Sequence, residues 1–109
     1  MKKKLLLLGA SGSIGQQTVD IVLQHPDLFE LVAFGVGHNI DKAREYLKLF
    51  PQVKSFSVVE KKDAEHLSKE YPDHEILYGE EGMETLCRRD DYTLLVNALV
   101  GFAGFRPTL

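Results

Sequence analysis

The residues best placed to do chemistry are three evenly spaced glycines, Gly9, Gly12 and Gly15, with Ser11 and Ser13 between them. No charged side chain falls in this stretch, so its chemistry is that of backbone N–H groups and hydroxyls. A glycine turn between a strand and a helix suits a pyrophosphate. The first glycine makes the tight turn, the second lets the main chain approach the ligand, and the third lets the helix pack close to the strand. The N–H groups at the helix start then point at the phosphates, aided by the helix dipole. Ser11 and Ser13 add hydroxyl donors.

The spacing is G-x-x-G-x-x-G rather than the common G-x-G-x-x-G, a variant that occurs among NADP-using proteins. A second segment agrees. An NAD site carries Asp or Glu at the end of the second strand to bind the ribose 2′-hydroxyl. Here that place reads Gly35-Val36-Gly37-His38-Asn39, without a carboxylate. A carboxylate would repel a 2′-phosphate, whereas His38 and Asn39 offer donors to one. A third segment, Asn97-Ala98-Leu99-Val100-Gly101, ends the last apolar run, where ligands bind outside the carboxyl ends of strands. Gly101 and Gly104 allow close backbone approach there. Asn97 is the only polar residue of that run, and a buried asparagine must find partners.

The other polar residues carry less. His25, His66 and His74 show no metal-ligand spacing and read as surface groups. Cys87 falls on a helical apolar face and reads as a small core residue. Glu80 and Glu81 suit a helix N-terminus. No nucleophile–base pair is visible, so no catalytic and no metal-binding residue is assigned.

The elements that must position these residues follow from periodicity. Leu5 to Leu8 is a continuous apolar run, as in a strand covered on both faces. Ile14, Thr18, Ile21 and Val22 recur at helical spacing, widened by Val19 and Leu23, and Pro26 ends that helix. Leu31 to Val36 reads as a second strand. Ala43, Tyr46, Leu47 and Phe50 mark a second helix, capped by Asn39 or Asp41 and stopped by Pro51. Phe56 to Val59 reads as a strand, and Ala64, Leu67, Ser68 and Tyr71 as a helical stripe before Pro72. Ile76 to Tyr78, a short helix over Met83, Leu86 and Cys87, and a strand from Leu94 to Val100 complete the pattern. Such alternation predicts an α/β fold: a doubly wound, mostly parallel sheet forming a Rossmann-like NADP-binding domain. The opening of another helix at Pro107 suggests the front part of a longer protein.

Composition narrows the partners. The chain has 109 residues, which suits one domain, and a net charge of −3, which argues against a non-specific nucleic-acid binder. One cysteine excludes an internal disulfide and fits a reducing, cytoplasmic compartment. No apolar run has membrane-spanning length. Lys2-Lys3-Lys4 before four leucines is too short for a signal peptide and has no cleavage site.

The stretches Gly9-Ala10-Ser11-Gly12-Ser13-Ile14-Gly15-Gln16-Gln17-Thr18-Val19-Asp20, Gly37-His38-Asn39-Ile40 and Asn97 to Leu109 together resemble the 1-deoxy-D-xylulose 5-phosphate reductoisomerase family. That family carries G-[AS]-T-G-S-I-G, G-[KR]-N-[IV] and N-A-[IL]-[VL]-G-x-x-G-L-x-P-T-L. Ser11 replaces a threonine and keeps the hydroxyl, and His38 replaces a basic residue. A neutral histidine would weaken the grip on a 2′-phosphate and make cofactor affinity depend on pH. The resemblance implies an NADPH-dependent enzyme of the non-mevalonate isoprenoid pathway. Such enzymes rearrange 1-deoxy-D-xylulose 5-phosphate and reduce it to 2-C-methyl-D-erythritol 4-phosphate, with a divalent magnesium or manganese ion on the substrate oxygens. By matching position, Ser11, Gly12, Ser13 and Ile14 would contact the cofactor phosphates, and Gly37, His38 and Asn39 would flank the 2′-phosphate. The family's metal and catalytic residues come after Leu109, so this segment alone is expected to be inactive. The full-length enzyme is expected to be a homodimer. Two other readings stay open: another NADP reductase, such as a semialdehyde dehydrogenase, and a stand-alone nucleotide-sensing module.

Overall fold

The computed structural model describes residues 2–98. Strands and helices alternate strictly among them: β1 (Lys3–Leu8), α1 (Ser13–Gln24), β2 (Phe29–Gly35), α2 (Ile40–Leu49), β3 (Ser55–Val58), α3 (Lys61–Glu70), β4 (Glu75–Tyr78), α4 (Gly79–Cys87) and β5 (Leu94–Asn97). The expectations placed on Leu99, Val100, Gly101, Gly104 and a helix at Pro107 lie outside the described residues.

Proline sets the length of three helices. His25, Phe50 and Tyr71 each precede a proline, and each leaves the helix in nearly the same non-helical conformation (φ −128, ψ 62; φ −127, ψ 74; φ −129, ψ 69). Proline's ring excludes the α region for the residue before it. Each of these residues still donates its own N–H to the last helical turn.

The five strands form one parallel sheet in the order β4-β3-β2-β1-β5. From β1 the chain steps outward three times, then crosses back to the far side of β1. Right-handed crossovers therefore place α1, α2 and α3 on one face and α4 on the other. Packing follows that division. Leu5 and Leu7 point into a core with Val19, Val22, Phe34, Tyr46, Phe56 and Leu67, while Leu6 meets Ala33 and Leu86 beneath α4. Leu6 and Leu7 are fully buried. Each such burial is worth about 2 kcal/mol.

Several details differ from the sequence reading. The buried stripe of α1 is Gly15, Val19 and Val22, whereas Ile14, Ile21 and Leu23 are exposed. The helix is turned so that Thr18 and Ile21 border a shallow apolar groove with Leu5, Phe29, Leu94 and Val96. β2 begins at Phe29 and ends at Gly35, and β3 runs from Ser55, leaving Val59 exposed. Ser68 is exposed, so Ala64 and Leu67 are the buried residues of α3, with Tyr71 at its end packed against the same core. Asn39 holds the cap position of α2, but no side-chain bond is made there. Leu94 and Leu95 of β5 are exposed.

Candidate functional site

Because all strands are parallel, their carboxyl ends share one edge of the sheet. Leu8 sits in register with Gly35 on one side and Asn97 on the other. The strand order reverses between β1 and β5. The crevice outside the carboxyl ends at such a reversal is the ligand-binding place of a doubly wound sheet.

The glycine turn lies in that position. Gly9 has φ +74, a conformation that costs a side-chain-bearing residue strain. Ala10 continues the ladder by donating its N–H to the Gly35 carbonyl at 2.8 Å, and Gly12 N–H closes the turn on the Gly9 carbonyl at 3.2 Å. α1 begins at Ser13. Its cap, Gly12, has no side chain to offer, and no acidic residue lies in the first turn. The positive end of this helix is therefore not compensated locally, and that favours an anion.

The glycines divide into two kinds. At Gly15 an added Cβ would lie 2.2 Å from the Gly9 carbonyl oxygen and 2.6 Å from Ala10 Cα, so packing of α1 on the turn demands glycine. At Gly35 the near contact is the Ser57 side chain, with Oγ at 2.8 Å, which would have to shift to admit a Cβ. At Gly12 and Gly37 the nearest atoms are 3.7 Å away, an ordinary contact. Protein packing does not require glycine at those two positions. The backbone at both is open to close approach from outside.

Ser11 joins the two loops. Its Oγ accepts the Gly37 N–H at 3.1 Å, which leaves the hydroxyl hydrogen to donate elsewhere. Gln16 Nε2 donates to the Ser11 carbonyl at 3.0 Å, and Tyr46 donates to the Ala10 carbonyl at 2.7 Å. The phenol of Tyr46 is buried, and that burial pushes its pKa up to about 12, with smaller contributions from Glu45 and Asp20. The turn is thus held from β2, α1 and α2 at once. Gly12, Ser13 and Ile14 are exposed beside it, and His38 and Asn39 are exposed beyond Gly37.

Two expectations need correction. Asn97 is exposed and not buried, at the end of β5 in register with Leu8. His74 is not a plain surface group. Its Nδ1 is buried without a hydrogen-bond partner among the described residues, and its ring packs edge-on against Tyr71. His25 and His66 are exposed, and Cys87 packs beside the core under α4. Glu80 and Glu81 occupy the first turn of α4.

One residue escaped the sequence reading. Glu60, two residues past β3, lies with Oε2 3.1 Å from His38 Nδ1. The second strand's own terminus carries no carboxylate, but its neighbour supplies one. No local pattern marks it, because residues just beyond adjacent parallel strands meet only once those strands have paired. Among the described residues no three His, Cys, Asp or Glu side chains come together to hold a metal ion. No described helix is long and apolar enough to cross a membrane.

A parallel sheet reversing at β1/β5, with a glycine turn opening α1 at the reversal, defines a Rossmann-like dinucleotide-binding domain. Residues 5–109 match the family model described as 1-deoxy-D-xylulose 5-phosphate reductoisomerase, and the chain belongs to that family. It is 45% identical over 108 residues to the enzyme of that name from Bacillus cereus (strain AH187), covering 98% of this chain. It is 42% identical, also over 98% of its length, to the one from Shouchella clausii (strain KSM-K16). The chain spans 28% of the length of these curated relatives. Among solved structures, it is similar to DOX-P reductoisomerase in complex with NADPH, fosmidomycin and magnesium, with a TM-score of 0.78 and 26% identity. That match covers 85% of this chain and 23% of the other. The fold is shared by the Zymomonas mobilis reductoisomerase in complex with NADPH, with a TM-score of 0.69 at 19% identity over 79% of this chain and 23% of that one.

Proposed function

We propose that this segment is the NADPH-binding domain of an enzyme that isomerises and reduces 1-deoxy-D-xylulose 5-phosphate to 2-C-methyl-D-erythritol 4-phosphate. The observation that carries the reading is the pairing of Gly12 and Gly37. These two glycines, unexplained by packing, belong to loops joined by the Ser11–Gly37 bond. A solved relative that binds NADPH supports the cofactor assignment. The chain's own residues fit the group. The backbone of Ser11, Gly12, Ser13 and Ile14, with the uncompensated start of α1, holds the pyrophosphate. Gly37, His38 and Asn39 take the adenosine ribose and its 2′-phosphate.

NADPH, once bound, supplies the hydride for the reduction. The work of this segment is to grip the nucleotide end and keep it in register with the sheet edge. The magnesium or manganese ion and the groups that act on the substrate belong to the part of the relatives that this chain does not span. The segment alone is therefore inactive, and the complete enzyme works as a cytoplasmic homodimer.

The test is direct. The complete gene product containing this segment is titrated with NADPH and with NADH, and turnover of 1-deoxy-D-xylulose 5-phosphate is followed by NADPH absorbance. Tighter binding of NADPH and metal-dependent turnover are expected. Equal affinity for the two nucleotides would refute the 2′-phosphate assignment, and absence of turnover would refute the activity.

A further inference from the structure

Two successive peptides of the glycine turn are restrained unequally. The peptide from Ser11 to Gly12 is held at both ends. Gln16 Nε2 donates to the Ser11 carbonyl at 3.0 Å, and the Gly12 N–H donates to the Gly9 carbonyl at 3.2 Å. The peptide from Ala10 to Ser11 is held at one end only. Tyr46 donates its hydroxyl hydrogen to the Ala10 carbonyl at 2.7 Å, while the Ser11 N–H has no partner among the described residues. The donor itself is fixed. Tyr46 is 2% exposed, and its ring meets Phe34 edge-on.

A trans peptide is planar, so its carbonyl and its N–H point in opposite directions. The Tyr46 hydroxyl draws the Ala10 carbonyl into the interior, and the same rotation turns the Ser11 N–H outward. Outward is the exposed side of the turn, where Gly12, Ser13 and Ile14 stand at the open start of α1. Without the hydroxyl, the peptide would tilt its oxygen toward water, because a buried carbonyl without a donor is costly. An oxygen facing that side repels the anion that an N–H attracts. Resting on the NADPH-binding reading above, we infer that Tyr46 is a positioning residue for the cofactor. From behind the turn it aims the Ser11 N–H at the pyrophosphate. The Ser11–Gly37 bond runs through the serine side chain, so it does not depend on the phenol. The loop that takes the 2′-phosphate therefore stays in place when the phenol is lost.

The experiment compares the complete gene product with its Tyr46→Phe variant at a temperature where both are folded. NADPH, NADH and adenosine 2′-monophosphate are the probes. The first two carry a pyrophosphate and the third does not. Tyr46→Phe is expected to weaken NADPH and NADH by the same factor, about tenfold, the loss of one hydrogen bond to a charged group. The preference for NADPH over NADH is then unchanged. Adenosine 2′-monophosphate, measured as a competitor of NADPH, should inhibit the variant as it inhibits the parent. KM for NADPH should rise while kcat at saturating nucleotide is kept. Arg44→Gln serves as the control, since it loosens the contact between α2 and α3 without touching the turn. It should bind all three probes as the parent does.

Unchanged NADPH affinity in Tyr46→Phe, a loss confined to NADPH, an equal loss for adenosine 2′-monophosphate, or the same loss in Arg44→Gln would each overturn the inference and leave NADPH binding standing. A parent that binds neither NADPH nor NADH would overturn both.

Discussion

Tyr46 of α2 and Ala10 of the glycine turn are 36 residues apart in sequence and joined by a buried hydrogen bond of 2.7 Å. The phenol also meets Phe34 edge-on, with ring centroids 5.7 Å apart. Tyr46→Phe keeps the ring and removes the bond, leaving a buried carbonyl without this donor. The expected cost is about 1–2 kcal/mol in chemical denaturation. The pH dependence follows from the raised pKa. The unfolded phenol ionises near 10 and the folded one near 12, so the stability it contributes is intact below pH 10 and is lost as pH climbs toward 12. Across that interval the parent should lose on the order of 2 kcal/mol that Tyr46→Phe does not lose.

Gly12 and Gly15 should respond oppositely to alanine. At position 15 the new methyl would meet backbone atoms at 2.2–2.7 Å, which cannot move aside without displacing the turn. Gly15→Ala is expected to cost about 1–3 kcal/mol or more, read as a lowered melting temperature. At position 12 the backbone is extended, with φ −81, and nothing lies closer than 3.7 Å. Gly12→Ala should melt near the parent and bind NADPH about tenfold more weakly or worse, because the methyl stands where the pyrophosphate approaches.

Ser11→Ala removes the acceptor of the Gly37 N–H and separates the two halves of the nucleotide site. A stability loss of about 1 kcal/mol is expected, together with severalfold weaker binding of NADPH. Ser11→Thr keeps the hydroxyl and should match the parent in both measurements.

Arg44 bridges α2 and α3. Its Nε and Nη2 donate to Glu70 at 2.9 and 2.7 Å, and Nη1 donates to Asp41 at 2.6 Å. The hydrogen bond from Arg44 holds the Glu70 carboxyl below its ordinary pKa. The resulting stability is present above the ordinary carboxylate range and disappears as pH falls through the depressed pKa. Arg44→Gln should therefore melt below the parent near neutral pH, approach it in acid, and approach it also at about 0.5 M salt, where exposed ion pairs are screened.

Much of this fold was legible because three prolines and two glycine turns punctuate it at the right intervals. The phase of α1 was harder to read. Ile14, Val19, Ile21, Val22 and Leu23 spread around more than one face, and hydrophobicity alone cannot see that Gly15 is the closest-packed position. Ser55 and Ser57 interrupt β3 with polar groups, yet both are buried, and Ser55 donates to Glu75 at 2.9 Å. The phosphate turn was visible since its glycine spacing is local. Glu60 was not, because its partner His38 is brought to it only by the pairing of β2 and β3.

The position of β5 has a consequence in time. It closes onto β1 in the register Leu5–Leu94 to Leu8–Asn97, anchored by Lys4 N–H to Thr93 Oγ1 at 3.0 Å across 89 residues. A growing chain can lay down β1 to β4 one neighbour at a time. One long edge of β1, four leucines in a row, stays open until β5 has been synthesised. Apolar open edges invite pairing with other chains. The exposed Lys2, Lys3 and Lys4 stand at the entrance to that edge, where charge discourages such pairing while the nascent sheet waits for β5.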